Sequence, residues 1–123
     1  MKIIDALRAI DALKPNGFDD ADKIRWLSEL DGRIKIEVID THEGGDAVTF
    51  EGYGEETSTD TVMLVPAPFE DIYIKWLESK IDYANAEYGK YNNSSIAFNN
   101  VFTAFSKYYH SKNMPKRTTL KFF

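Results

Sequence analysis

The sequence predicts a mostly α protein: a small bundle of about four helices, with a long central loop carrying a β-hairpin and an extended C-terminal tail. Three observations predict it. Apolar residues recur at helical spacing in four stretches, a glycine-rich region with β-branched runs interrupts them, and a late proline is followed by basic and aromatic residues. The 123 residues fit one domain, with a helical body at 1–114, a loop excursion at 43–68 and a tail at 115–123.

The first helix follows from Ile3, Leu7, Ile10 and Leu13, which recur at steps of four, three and three from Lys2 onward. Pro15 ends it, since the residue before a proline is pushed out of the helical region, and Asn16-Gly17 supplies turn chemistry. Asp19, Asp20 and Asp22 then place negative charge where a second helix begins, and read as capping residues. That helix turns Ile24, Leu27, Leu30, Ile34, Val38 and Ile39 inward and runs to about Thr41, with a kink expected at Asp31-Gly32.

From His42 to Pro68 the pattern changes. Turn-like glycine clusters flank Val48 to Phe50 and Thr61 to Val65, which read as the two short strands of the hairpin. Pro66-Ala67-Pro68 closes the excursion and opens a third helix, carrying Ile72, Trp76, Leu77, Ile81, Ala84 and Tyr88 and finishing near Gly89. A polar turn at Tyr91-Asn92-Asn93-Ser94 leads to a fourth helix with a wide apolar face, Phe98, Phe102, Phe105 and Tyr109 beside Ala97, Val101, Ala104 and Tyr108.

Composition bounds the function. The formal charge of -5 gives no electrostatic reason to bind nucleic acid or an anionic membrane. No apolar run approaches the ~18 residues needed to span a bilayer, and the start, Met1-Lys2-Ile3-Ile4-Asp5, does not read as a targeting segment. Absence of cysteine excludes disulfides, thiol catalysis and cysteine-based zinc sites, and is compatible with an intracellular origin.

Asp40, His42, Glu43 and Asp46 form the one cluster that suggests a metal, but their spacing matches no established motif and a helix end entering a glycine loop explains them. His110 reads as a residue favoured by the helix dipole. Glu55 with Glu56 and Glu70 with Asp71 read as solvated or capping charges, while Trp26 and Trp76 read as core or interface anchors. Asn85, Glu87, Asn92, Asn93 and Asn99 are expected to form a hydrogen-bonded network bracing the turn between the third and fourth helices. The expectation is therefore a protein with no enzymatic activity, no cofactor and no metal, which acts by binding other proteins.

Two features exceed what a small bundle needs. The loop, with Val48, Phe50, Tyr53, Val62 and Leu64 as candidates for contact between subunits, and the tail, with Lys116, Arg117, Leu120, Phe122 and Phe123, are segments of the kind that dock on another chain.

Lys14-Pro15-Asn16 with Lys23 to Gly32, then Leu64 to Tyr73, Ile81 to Tyr88, Tyr91-Asn92-Asn93 and Phe98-Asn99, resemble segments of the head-tail connector, or adaptor, proteins of tailed bacteriophages and prophages. The resemblance spans about Leu7 to Pro115, without the loop at 43–60. It implies a virion structural protein that assembles as a ring on the portal at the DNA-exit vertex. Its expected partners are the portal, neighbouring copies of itself and the next neck or tail-completion protein. The expected location is the virion neck, reached from the host cytoplasm during assembly. The resemblance also implies that the tail docks on the portal. DNA would pass through such a ring without sequence-specific binding, and an acidic protein suits that passage. The alternative from composition alone is a soluble regulatory or inhibitory protein that binds a bacterial partner.

Overall fold

Ile3, Ala6, Leu7 and Ile10 occupy one face of an eleven-residue helix and are all buried, which defines α1 (Ile3–Leu13). The Asp5 carboxylate accepts the Lys2 backbone N–H at 3.2 Å, satisfying one of the amides that a helix start leaves without a partner. In this computed structural model, which describes residues 1–116, three more helices follow: α2 (Asp20–Ile34), α3 (Asp71–Ala84) and α4 (Tyr88–Lys112). As its sequence predicts, Asp19 caps α2, accepting the Asp22 N–H at 3.1 Å.

No break interrupts the helix at Asp31-Gly32, and α2 continues to Ile34 before widening into a π-helical turn, Lys35–Ile39. A Cβ built at Gly32 would meet the Phe50 ring at 3.6 Å, an ordinary van der Waals contact, so the packing there does not require glycine. Gly45 is more demanding, because a Cβ there would stand 2.3 Å from the Ile39 carbonyl oxygen, where the chain folds back on the π-helical turn.

The β-hairpin is not formed. Among the described residues there is no strand, only isolated bridges pairing Lys2 with Val62 and His42 with Pro115. The reason lies in where the backbone groups of 61–65 go. Ile3 N–H donates to Thr61 carbonyl (3.0 Å), Met63 N–H to Met1 carbonyl (2.9 Å), Leu64 N–H to the Asp31 carboxylate (3.1 Å) and Val65 N–H to the Tyr73 hydroxyl (2.8 Å). The alternation is still used: Met63 and Val65 are buried while Val62 is exposed. The segment is a strap laid across α1, α2 and α3.

Asp31 anchors that strap. Its carboxylate is wholly buried and takes donors from three places: the Tyr53 hydroxyl, the Leu64 N–H, and the Tyr73 hydroxyl at 2.7 Å. Burial pushes the Asp31 carboxyl above the usual carboxylate range, although the hydrogen bonds from Tyr53, Tyr73 and Leu64 pull the other way. Burial and the adjacent carboxylate raise both tyrosine hydroxyls, which stay protonated and donate.

α3 stands at the centre, packing against α1, α2 and α4, while α4 packs on α3 and the π-helical turn. The turn between α3 and α4 falls at Asn85-Ala86-Glu87, six residues before the expected Tyr91–Ser94, which lies within α4. Ala86 N–H donates to Tyr83 carbonyl (3.0 Å) and Glu87 N–H to Asp82 carbonyl (2.9 Å), a Schellman closure with Ala86 in the left-handed position at φ 57°.

Two predictions follow from these geometries. Ala86→Gly removes the steric cost of a Cβ at positive φ, about 1–2 kcal/mol, against a smaller gain in unfolded-state entropy. Urea unfolding is expected to show a net stabilisation of about 0.5–1 kcal/mol. Asp31→Ala leaves Leu64 N–H and the buried Tyr73 hydroxyl without their acceptor and is expected to cost about 3 kcal/mol, with Asp31→Asn milder because its carbonyl keeps one side of the network. The raised carboxyl means that the folded state binds more protons than the unfolded state at pH values above the unfolded value of about 4. The Asp31 contribution is therefore largest at acid pH and is lost as pH rises through the folded-state value. Unfolding measured from pH 4 to 8 should show the stability of the natural protein, relative to Asp31→Asn, falling with pH.

Candidate functional site

The tail begins at a defined root. Pro115 bridges to His42, Glu43 N–H donates to Met114 carbonyl (2.7 Å) and Lys116 N–H donates to Thr41 carbonyl (2.9 Å), so the chain leaves the body beside the end of the π-helical turn. The Lys116 ammonium reaches Asp46 at 3.3 Å. Lys116 is the one docking-tail candidate that the structure places; Arg117, Leu120, Phe122 and Phe123 lie outside the described residues.

His42, beside this root, is buried, with Nδ1 2.6 Å from Val38 carbonyl and Nε2 3.3 Å from His110 Nδ1. The short contact to a carbonyl assigns the His42 proton to Nδ1, which leaves Nε2 to accept from His110. His110 in the last turn of α4 thus pairs with another ring as well as sitting where the dipole favours it. Of the suspected metal cluster, Asp40 is paired with Lys35 and Asp46 with Lys116, and Glu43 is exposed. Among the described residues no group of three His, Asp or Glu side chains converges to hold a metal.

The polar network expected around the α3–α4 turn is absent. Asn85, Glu87, Asn92, Asn93 and Asn99 are all exposed, and Glu87 pairs only with Lys90 on its own helix (3.2 Å). The bracing is done by residues the sequence reading passed over. Buried Asp82 binds the Lys14 ammonium and accepts from Ser94 Oγ at 2.8 Å, tying the end of α1 to α3 and α4. Lys23, also buried, reaches Asp11 at 2.6 Å and Phe18 carbonyl at 2.9 Å, and its hydrogen bond holds the Asp11 carboxyl below the usual range. A buried lysine or aspartate spaced like a surface residue carries no mark in sequence, and only the partner reveals it.

Of the loop candidates, Val48, Phe50, Tyr53 and Leu64 are half-buried against the protein's own body, and Val62 is exposed. The side chains free to meet another molecule lie elsewhere. Leu13, Ile36, Tyr83, Tyr88, Ile96 and Met114 are each more than half exposed. Tyr83 stacks edge-on against Tyr91 (5.2 Å) and Tyr88 (6.1 Å), beside a cleft of about 310 Å³ lined by Trp76, Ser79, Lys80, Tyr83 and Tyr91. A second cleft, about 480 Å³, lies between α2 and the loop at 53–55, with Ala21, Ile24, Arg25, Tyr53, Gly54 and Glu55 as its walls. Asp31 borders neither cleft with an open oxygen, since both of its oxygens are engaged internally.

No helix among the described residues is long and apolar enough to cross a membrane. No protein-family model matches the chain, and neither a curated protein nor a solved structure does.

Proposed function

We propose that the protein is a head-tail connector of a tailed phage or prophage, a virion structural component that forms a ring on the portal and carries the next neck or tail component. The observation that carries this reading is the set of segments that resemble connectors, and exposed apolar side chains stand on several faces of the body they build. Leu13 ends α1, Ile36 lies on the π-helical turn, Val62 on the strap, Tyr83, Tyr88 and Ile96 on the α3–α4 hairpin, and Met114 at the tail root. Single apolar side chains are ordinary on a protein surface, and on a ring subunit, with two neighbours and axial partners, they supply contact points on several faces. The segments that resemble connectors supply the core: Trp26, Leu27, Leu30, Ile72, Tyr73, Ile81 and Phe98 are all buried together.

In this reading the residues from Pro115 onward, rooted beside Thr41 and Glu43, dock on the portal. The test is electron microscopy of portal rings co-expressed with the protein, in which added density on the ring is the expected result and bare portals overturn the proposal. Deleting residues 115–123 is expected to leave the circular dichroism of the helices within about a tenth of its original value, because 115 and 116 contribute a backbone contact to residues 41–42 and an ion pair with Asp46, all outside the four α-helices. Portal binding measured by co-purification should fall; retention of full binding would move the docking role to the loop.

A further inference from the structure

Charge is segregated along the chain. Residues 36–74 contain ten Asp or Glu and no Lys or Arg, whereas residues 88–123 contain six Lys or Arg and no Asp or Glu. The two blocks scarcely meet within one molecule. Among the described residues their only ion pair is Lys116 with Asp46, at the tail root. Glu43, Glu51, Glu55, Glu56 and Asp60 are exposed and form no ion pair with another described residue, and the same holds for Lys107 and Lys112 on α4.

The outward face of α4 has a pattern of its own. Asn92, Ile96, Asn99, Thr103, Lys107 and His110 step four, three, four, four and three, so they form one row along the helix, and every one is exposed. The row offers amide, hydroxyl and ammonium donors around one apolar residue, with the His110 ring engaged by His42. The loop at 43–60 offers carboxylates, which accept only. Since α4 packs on α3 and the π-helical turn while the strap lies across α1, α2 and Tyr73, both surfaces are left uncovered by the described residues.

We propose that the outer face of α4 docks the acidic loop, residues 43–60, of a second copy of this chain. The two surfaces differ, so the contact is heterologous: each copy gives its loop to one neighbour and its α4 to the other, and repetition closes a ring when the rotation permits. This deepens the connector reading and rests on it for its biological setting. Charge complementarity sets register and speeds encounter, and exposed Ile96 supplies an apolar centre among polar neighbours. A second copy suits the face better than nucleic acid, because α4 carries only three lysines and the loop carboxylates of the same chain repel phosphate.

The test mixes copies of the full chain labelled with light and heavy nitrogen, at high protein concentration and low salt, and treats them with a carbodiimide, which joins a lysine amine to a carboxylate it touches. Mass spectrometry is expected to find mixed-isotope links from Lys107 or Lys112 to Glu51, Glu55, Glu56 or Asp60, reduced about tenfold in 0.5 M salt. The variants K107E/K112E and E55K/E56K, each with unchanged circular dichroism, should each lose the links, and mixing the two variants should restore contact between copies, read as co-sedimentation of one with the other. Absence of mixed-isotope links, links confined to other surfaces, or no recovery on mixing would overturn the proposal. So would tight binding of a DNA duplex that K107E/K112E abolishes while no contact between copies is found. Portal rings decorated equally by natural protein and both variants would sink this contact and leave the connector reading standing. Loop-to-α4 links from a protein that leaves portals bare would do the reverse.

Discussion

The architecture depends on a single buried carboxylate. Asp31, in the middle of α2, accepts from Tyr53 and Leu64 on the strap and from Tyr73 on α3, and Tyr73 in turn accepts from Val65. These contacts replace the ladder that a hairpin would have supplied. A strap of irregular backbone can cross a core only if its amides find partners, and here they find one side-chain network and the first residues of the chain. The arrangement costs desolvation of an acid, which is why its proton affinity rises, but it fixes the position of a segment whose own propensities would not.

The same logic recurs at the other end of the bundle. Asp82 joins Lys14 and Ser94, and through them α1, α3 and α4, at the turn where Ala86 adopts a left-handed conformation. With Lys23 held by Asp11 and Phe18, three separate polar knots determine how the helices are placed, while Ile3, Leu27, Ile72, Leu77 and Phe105 supply the apolar area. Apolar packing tolerates sliding along a helix; a buried ionic contact does not, since displacement leaves a charge without a partner.

These knots also mark where sequence reading succeeds and fails. The four helices were readable because apolar spacing is a local property, and Asp19 was readable as a cap because capping acts over three residues. The hairpin was misread because Thr61 to Val65 has the alternation of a strand, and alternation says which side chains are buried but not which backbone receives the hydrogen bonds. The α3–α4 turn was misplaced for a related reason. Asn92 and Asn93 are good turn formers, yet the left-handed position went to Ala86, which has no such preference, and the asparagines became the exposed face of α4. Asp31 sits 33 residues from Leu64 and 42 from Tyr73, and Asp82 sits 68 from Lys14, so nothing local distinguished them from surface acids. The tail was readable as a separate segment because Pro115 ends helical spacing, but its root beside His42 is a long-range contact.

The distribution of acids connects interior to exterior. Asp31 and Asp82 are consumed by the fold, Asp31 by uncharged hydroxyl and amide donors and Asp82 by the Lys14 ammonium and Ser94. The acids at 43, 51, 55, 56 and 60 do nothing comparable: among the described residues they make no ion pair, and the loop that bears them is held by Tyr53, Ser28 and the strap hydrogen bonds. Like charges gathered on one loop repel each other and oppose its ordering, so the fold alone gives no reason to concentrate them. Nor does it explain an α4 stripped of acid, since a long exposed helix is ordinarily stabilised by pairing acids with lysines three or four residues away. Both departures weaken the isolated molecule slightly, and both become favourable once the donor face of one copy meets the acceptor loop of another.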